Sequence, residues 1–416
     1  MFDPNYKFTV VDRFLKYVKI DTQSDDEAPQ FPTTQKQLDL SRVLVDELQE
    51  LGLTDAHLDE HGYVYATLPS NTTKDVPVIG FIAHVDTSPA ISGKDVKPVI
   101  HKNYNGEDIV LPGDTSKVID VASNPELKEM KGYDIITTDG TTLLGADDKA
   151  GIAEIMDALA YLTAHPEVKH GTIKICFTPD EEVGRGTEHF DVKGFGAKYA
   201  YTIDGSSRGE VETETFSADA VVITIHGKNV HPGYAKNKMI NSIRVASRFM
   251  ETLPKNTLCP ETTEGREGYV HCVAFNGSEE KTVLKFIIRD FIDEKLKDYE
   301  RYLENLLASV VNDYPGARYE FQVIEQYRNM KYVLDQHPEV EANALEALAR
   351  LNVAPIQSAI RGGTDGSRLS YMGIPTPNLF AGGHNFHAAT EWVAIQDMEM
   401  SVRNIVTLAN VWENKA

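Results

Sequence analysis

The stretch "VPVIGFIAHVD", residues 76–86, decides the fold, because it is an apolar run that ends in polar side chains. Such a run is typical of a strand that is buried on both faces, as in a parallel sheet covered by helices. His84 and Asp86 are two positions apart, so their side chains leave the strand on the same face. Two interpretations are open: a hydrogen-bonded pair in a turn, or a metal-binding imidazole whose second ring nitrogen meets a carboxylate.

Helix and strand patterns alternate on either side of this strand. Apolar residues recur at helical spacing in 8–18, 37–53 and 145–162, whereas 61–69, 171–182 and 198–206 read as strands. The alternation predicts an α/β fold, with a doubly wound mixed sheet and helices on both faces. In such sheets, functional residues gather beyond the carboxyl ends of the strands. Residues 89–140 give only short strand signals, and their structure is not predicted.

A second domain is predicted between residues 211 and 327. Its patterns follow the order β-α-β-β-α-β, which is that of a ferredoxin-like α+β domain. The chain of 416 residues also exceeds the size at which single cores stop growing. We therefore expect residues 1–210 and 328–416 to form one domain that is interrupted by 211–327.

Composition excludes several classes of partner. The chain has 41 Lys and Arg against 63 Asp and Glu, a net charge of −22, which argues against nucleic acid and anionic membranes as partners. Its three cysteines show no Cys-x-x-Cys spacing, as expected in a reducing compartment. The start lacks an apolar signal region, and no apolar run is long enough to span a bilayer. These features predict a cytoplasmic protein without a membrane partner.

Four further segments place histidines or carboxylates at predicted strand ends or glycine-marked turns. They contain Asp147 and Asp148 in "LLGADDKAG", Glu181 and Glu182 in "TPDEEVGRG", Asp204 in "YTIDGS", and His384 and His387 in "GGHNFHAATEW". Each has an alternative reading: a helix N-cap, a solvated acidic turn, a strand-terminating turn or an exposed loop. Their convergence on one sheet edge favours a metal site. Nitrogen and oxygen ligands without thiolate suit zinc, cobalt or manganese. The negative charge of three carboxylates and a hydroxide balances the positive charge of about two divalent ions.

The motifs also resemble those of a known family. "AHVDTSP", "DGTTLLGADDKAGIAEI", "TPDEEVGRGTEHF", "NVHPGYAKNKMINSI", "PETTEGREGY", "IRGGTDGSRLS" and "GGHNFH" follow one another across nearly the whole chain. The set is similar to the di-zinc aminopeptidase, carboxypeptidase and aminoacylase family, and within it to the bacterial tripeptide aminopeptidases. The resemblance implies two Zn²⁺ per subunit, with Co²⁺ or Mn²⁺ as alternatives. His84 and Asp204 would bind one ion, Glu182 and His387 the other, and Asp147 both.

The resemblance also implies an activity and its catalytic residues. It implies zinc-dependent removal of the N-terminal residue from tripeptides by a metal-bridged water, with Glu181 as general base and acid. Asp86 would orient His84. His387 is preferred to His384 because "HAATE" fits the family pattern of a His followed four residues later by Glu.

The inserted domain would be a lid that binds the short peptide substrate and pairs two copies into a homodimer. His231 and Arg289 from the lid, and Arg361 from a Gly-rich loop of the main domain, would meet the substrate's carbonyl oxygen and carboxylate. Each arginine could equally form a structural ion pair. At Ser206 the chain departs from the second glycine that the tripeptidase branch carries after "DG", which leaves the local turn open.

Other functions stay open on the sequence alone. A dipeptidase or an aminoacylase on the same scaffold is the nearest alternative. A non-catalytic peptide-binding protein is disfavoured because no expected ligand is missing, and neither is Glu181. A two-metal phosphatase or nuclease is disfavoured by the acidic net charge and by the absence of a Lys and Arg cluster beside the expected ligands.

Overall fold

The computed structural model describes residues 2–416, which divide into two compact units. The larger unit runs to Thr213 and adds Tyr332–Ser358 and Thr364–Ala416, and the smaller comprises Glu214–Lys331 and Ala359–Gly363. The first two borders lie a few residues from the expected ones at 210 and 328. Residues 359–363, which the sequence analysis placed in the main domain, are grouped with the smaller unit.

Ten α-helices are described within residues 2–416. They are α1 (Val10–Tyr17), α2 (Gln37–Glu50), α3 (Ala146–Ala164), α4 (Val192–Phe195), α5 (Ser242–Thr252), α6 (Asp293–Asn312), α7 (Lys331–Leu334), α8 (Pro338–Arg350), α9 (Asp365–Tyr371) and α10 (Ile395–Lys415).

Eighteen strands are described in the same part of the chain. They are β1 (His57–Leu58), β2 (Val64–Leu68), β3 (Ile79–His84), β4 (Val99–His101), β5 (Ile109–Val110), β6 (Val118–Ile119), β7 (Ile135–Thr137), β8 (Ile173–Thr178), β9 (Tyr199–Gly205), β10 (Glu210–Thr215), β11 (Ser217–His226), β12 (Tyr269–Gly277), β13 (Lys281–Asp290), β14 (Arg318–Tyr327), β15 (Ile356–Ile360), β16 (Asn378–Phe380), β17 (Gly383–His384) and β18 (Trp392–Ala394).

The main sheet has eight strands in the order β1-β2-β8-β3-β9-β16-β10-β15. Strands β8, β3, β9 and β16 are parallel to their neighbours within this group, whereas β2 and β10 pair antiparallel with β8 and β16. The predicted mixed sheet is therefore confirmed. The opening apolar run forms β3, in which every residue is buried.

Helices cover both faces of this sheet, as predicted. On one face α3 packs against β3 and β9, and α1 and α10 pack against α3. Nearly all of α3 is buried, including the predicted stripe from Ile152 to Leu162. On the other face Ile82 and Cys176 pack with Phe195 of α4 and Leu369 of α9.

Residues 89–140 form the part of the fold that the sequence did not resolve. Strands β4 and β7 join β17 and β18 in a four-stranded sheet, and β5 pairs with β6. Their core contains Leu111, Ile119, Leu127 and Trp392. These strands are only two or three residues long, which is too short for a period-two pattern to show in the sequence.

The smaller unit has the predicted β-α-β-β-α-β order. Its four antiparallel strands lie in the order β12-β13-β11-β14, and α5 and α6 pack against them. On α6 the apolar face contributes Leu296, Leu303 and Leu307 to the core, as its spacing predicts.

Two isoleucines of the smaller unit provide a matched test of this core. Ile223 of β11 is fully buried, whereas Ile324 of β14 is 43% exposed. We expect Ile223→Ala to lower the free energy of unfolding by about 2–5 kcal/mol, because it leaves a cavity. Ile324→Ala should cost less than about 1 kcal/mol, since it removes little buried area. Denaturant titration of both variants checks this, and equal costs would contradict the assigned core.

Candidate active site

Three adjacent strands of the main sheet bring the site residues to one edge. His84 ends β3, Asp204 lies one residue before the end of β9, and Glu181 follows the end of β8 by three residues. In the sheet, β3 lies between β8 and β9. The chain therefore adds β8 on one side of β3 and then β9 on the other side. This is a topological switch point, where α/β sheets form a crevice beyond their strand ends.

Asp147 lies between two histidines. Its Oδ1 is 2.8 Å from Nε2 of His84, and its Oδ2 is 3.1 Å from Nε2 of His387. The residue is at the start of α3, where Asp147 and Asp148 have non-helical backbone angles. Each carboxylate oxygen therefore faces a different imidazole, as a bridging ligand requires.

Two further carboxylates complete two groups of three ligand atoms. Asp204 Oδ1 is 3.6 Å from Nε2 of His84, and Glu182 Oε2 is 2.8 Å from Nε2 of His387. His84, Asp147 and Asp204 form one group, and Asp147, Glu182 and His387 form the other. All five residues expected as ligands are thus brought together.

The electrostatics of these groups fit divalent cations. Burial, reinforced by Asp147, raises the pKa of Glu182 to about 8 and that of Asp204 to about 6. Hydrogen bonds to Asp147 and Glu182 raise the pKa of His387 to about 11. Oε1 of Glu182 is buried without a hydrogen-bond partner among the described residues. A cation held between the carboxylates would offset the free-energy cost of burying their negative charges. This set of nitrogen and oxygen donors suits zinc, cobalt or manganese.

Glu181 is next in the chain to Glu182 and belongs to neither group. Burial of its carboxyl raises its pKa well above the usual range, although His84 acts in the opposite direction. Its backbone N–H donates to Asp86 Oδ1 at 3.0 Å, and that of Glu182 donates to Asp86 Oδ2 at 3.2 Å. A carboxyl whose pKa is raised in this way is suited to general acid and base catalysis.

Asp86 contacts His84 through both its backbone oxygen and its carboxylate. Nδ1 of His84 is 3.0 Å from the backbone oxygen of Asp86 and 3.4 Å from its carboxylate Oδ1. The backbone carbonyl is therefore the closer partner of the imidazole. The carboxylate fixes the backbone that carries Glu181 and Glu182, a role that the sequence analysis missed.

Two more residues near the site have contacts that the sequence analysis did not predict, although Glu391 is the Glu of "HAATE". Asp180 has a left-handed backbone, with φ of 57°, just before Glu181. Its carboxylate accepts hydrogen bonds from the Thr33 backbone N–H at 2.6 Å and from Gln37 Nε2 at 2.6 Å. Glu391 accepts three backbone hydrogen bonds from residues 144–147. Burial raises the pKa of Glu391 to about 7, although these three N–H groups lower it.

His384 has a different environment from His387. Its ring stacks on Trp392 with centroids 4.1 Å apart, and burial lowers its pKa to about 4. His384 belongs to neither ligand group. Ser206 holds its turn by donating from Oγ to the Gly383 carbonyl at 2.7 Å.

The three expected substrate contacts all lie in the smaller unit. His231 is exposed, and Arg289 donates to Gln326 Oε1 at 2.9 Å. Arg361 was expected in the main domain, but its guanidinium donates to the carbonyls of Gly265 and Glu267 at 2.7 and 2.9 Å, which explains its grouping. Within residues 2–416 neither arginine has a carboxylate in ion-pair contact, so the alternative of structural ion pairs is not observed.

Across residues 2–416, every helix is too short or too polar to cross a membrane.

Comparison with known proteins identifies the family. The model of "Peptidase family M20/M25/M40" matches residues 129–411. Peptidase T of Clostridium acetobutylicum is 52% identical over 406 residues, which cover 98% of this chain and 99% of that protein. Among solved structures, aminopeptidase PepT from Bacillus cereus has a TM-score of 0.74 and 24% identity, with coverage of 97% and 98%. A tripeptidase from Staphylococcus aureus has a TM-score of 0.74 and 21% identity, with the same coverage.

These matches confirm the resemblance and the fold that the sequence motifs predicted. The family model covers more than half of the chain, and the Clostridium relative is similar over almost all of it. The chain belongs to peptidase family M20/M25/M40 and is a peptidase.

Proposed function

We propose that this protein is a metal-dependent aminopeptidase that uses two divalent ions to remove the N-terminal residue from tripeptides. The observation that carries the proposal is Asp147, whose two oxygens face His84 and His387 at 2.8 and 3.1 Å. The Clostridium relative named Peptidase T, the Bacillus aminopeptidase and the Staphylococcus tripeptidase support the choice of activity.

In this proposal five residues hold the ions. His84 and Asp204 hold one, Glu182 and His387 hold the other, and Asp147 holds both. Zinc is the proposed metal, with cobalt or manganese as alternatives that suit the same donors. When bound, a pair of such ions polarises a carbonyl and makes a water molecule more acidic.

Glu181 moves the proton in the proposed reaction. Its carboxylate takes a proton from the water that attacks the first peptide carbonyl. The same carboxyl then returns the proton to the nitrogen of the leaving amine. Asp86 holds the Glu181 backbone through a 3.0 Å hydrogen bond, which keeps the carboxyl in place for both transfers.

The proposal extends to substrate recognition, location and assembly. His231 and Arg289 would contact the carbonyl oxygen and the carboxylate of the peptide. Four hydrogen bonds from Arg361 already join it to residues 263–267, so we assign it a structural role. A cationic side chain that binds the peptide's carboxylate limits peptide length, because a peptide whose carboxylate does not reach the cation leaves that cation unpaired.

We propose that the enzyme acts in the cytoplasm as a homodimer paired through the smaller unit.

A peptide panel tests this function. We expect kcat/KM to be highest for tripeptides with a free amino terminus, lower for dipeptides and tetrapeptides, and negligible for N-acetylated tripeptides as a matched control. A chelator should abolish turnover, and added Zn²⁺, Co²⁺ or Mn²⁺ should restore it. Faster hydrolysis of dipeptides or of acyl-amino acids would favour the alternatives on the same scaffold. Hydrolysis of phosphoesters instead of peptides would contradict the proposal.

A further inference from the structure

Glu391 is a buried carboxylate beside the proposed metal centre that belongs to neither ligand group. Its Oε2 accepts hydrogen bonds from the backbone N–H groups of Leu144 and Gly145, each at 2.7 Å. Its Oε1 accepts the backbone N–H of Asp147 at 3.0 Å. One carboxylate therefore satisfies three donors of a single short segment.

That segment has a backbone that the following helix does not stabilise. Gly145 has a left-handed φ of 82° and no capping side chain, and Asp147 has non-helical angles. Asp148 Oδ1 accepts the N–H of Gly151 at 3.2 Å, which lies beyond residues 144–147. Leu144 is fully buried, so its N–H has no access to solvent. The three bonds to Glu391 supply partners for N–H groups at and just before the helix start, which have no intrahelical partner.

The position of Glu391 in the chain links two ligands. Glu391 follows His387 by four residues. The same loop therefore contains His387 and the carboxylate that accepts the backbone N–H of Asp147. Asp86 has the same relation to the other histidine: it follows His84 by two residues and fastens the backbone of Glu181 and Glu182. Each histidine segment thus carries a carboxylate that fixes another segment of the site.

We propose that Glu391 is a positioning residue, which holds Asp147 so that one carboxylate oxygen faces His84 and the other faces His387. The inference rests on the proposed two-metal function. A shift of the Asp147 backbone would move both oxygens together, and the geometry of both ion sites would change at once. Residues that orient ligands in this way typically contribute about 10- to 100-fold to metal affinity.

Two substitutions separate hydrogen bonding from volume. Glu391→Gln keeps the size of the side chain, but its NH₂ group faces N–H donors and cannot accept from them. Glu391→Asp keeps the charge, but it is one methylene shorter and cannot reach all three donors. Glu154→Gln is the matched control: Glu154 is equally buried on α3, and its oxygens accept no hydrogen bond from residues 144–147.

The experiment measures metal affinity directly. Metal-free wild type and variants are titrated with Zn²⁺ in competition with a chromophoric chelator, and the metal-induced rise in Tm is recorded. We expect Glu391→Gln to bind Zn²⁺ about 10- to 100-fold more weakly, with a smaller Tm rise. Its kcat should fall while KM for a tripeptide stays within about twofold, and Glu391→Asp should be intermediate. Glu154→Gln should bind Zn²⁺ like wild type.

Several results would overturn the inference. Zn²⁺ affinity and kcat of Glu391→Gln within about twofold of wild type would do so. A lower Tm of the metal-free variant with an unchanged metal-induced rise would show a structural role alone. If Glu391→Gln does not fold, the same measurements on Glu391→Asp decide the matter. Wild type that binds no divalent ion would overturn the proposed function as well, which distinguishes the two failures.

Discussion

Glu181→Ala is expected to lower kcat by about 10²- to 10⁴-fold while the protein keeps its full metal content. The carboxyl of Glu181 lies outside both ligand groups, so its removal should leave the ions in place. The raised pKa of this carboxyl matches a group that accepts a proton and donates it again. Removing it takes away both proton transfers, whereas substrate binding should change little.

Steady-state kinetics and metal analysis of purified variants check this expectation. Glu181→Gln, which keeps the shape but cannot take up the proton, should behave like the alanine variant. Glu188→Ala is the control, because Glu188 is in the same loop but is exposed and paired with Arg185 at 2.6 Å. A wild-type kcat in Glu181→Ala would exclude Glu181 as the base. Loss of metal from this variant would indicate that Glu181 is a metal ligand instead.

Asp147→Asn is expected to have the largest effect on metal binding of any single substitution. Only Asp147 contributes to both ligand groups, and an amide offers one oxygen where the carboxylate offers two. We expect the metal content to fall from about two ions per chain to fewer than about one, and kcat/KM to fall by at least about 10²-fold.

His387→Ala provides the comparison for Asp147→Asn. His387 is in one group only, so its loss should weaken the binding of one ion. The group that contains His84 and Asp204 should still bind the other ion. Metal analysis after gel filtration, with Zn²⁺ at defined free concentrations, separates the two outcomes. A full complement of metal in Asp147→Asn would show that Asp147 does not bridge the ions.

The sequence predicted those features that depend on local pattern. The apolar run before His84 and the stripe along α3 reflect burial in the main sheet and in the helix that covers it, so the local pattern of apolar residues located them. Strand ends then indicated His84, Glu182 and Asp204 as candidate ligands, because parallel strands bring their carboxyl ends to one edge. The choice of His387 over His384 needed the family pattern, since both histidines lie in the same loop.

The sequence could not predict the backbone contacts of the site. The carboxylates of Asp86, Asp180 and Glu391 accept hydrogen bonds from N–H groups that are distant in the chain, and every residue but proline has such a donor. No residue type therefore marks the partner in advance. The small sheet from residues 89–140 escaped prediction for another reason, because its strands are too short to show a period.

The division of the chain into two units determines which fragments can be expressed separately. The backbone passes between the two units four times, after Thr213, Lys331, Ser358 and Gly363. A fragment cut at Glu214 and Lys331 would therefore omit Ala359–Gly363, including the guanidinium that satisfies the carbonyls of residues 263–267. The smaller unit is thus not a cassette that one pair of cuts can transfer to another protein, and swaps between relatives must carry both of its pieces.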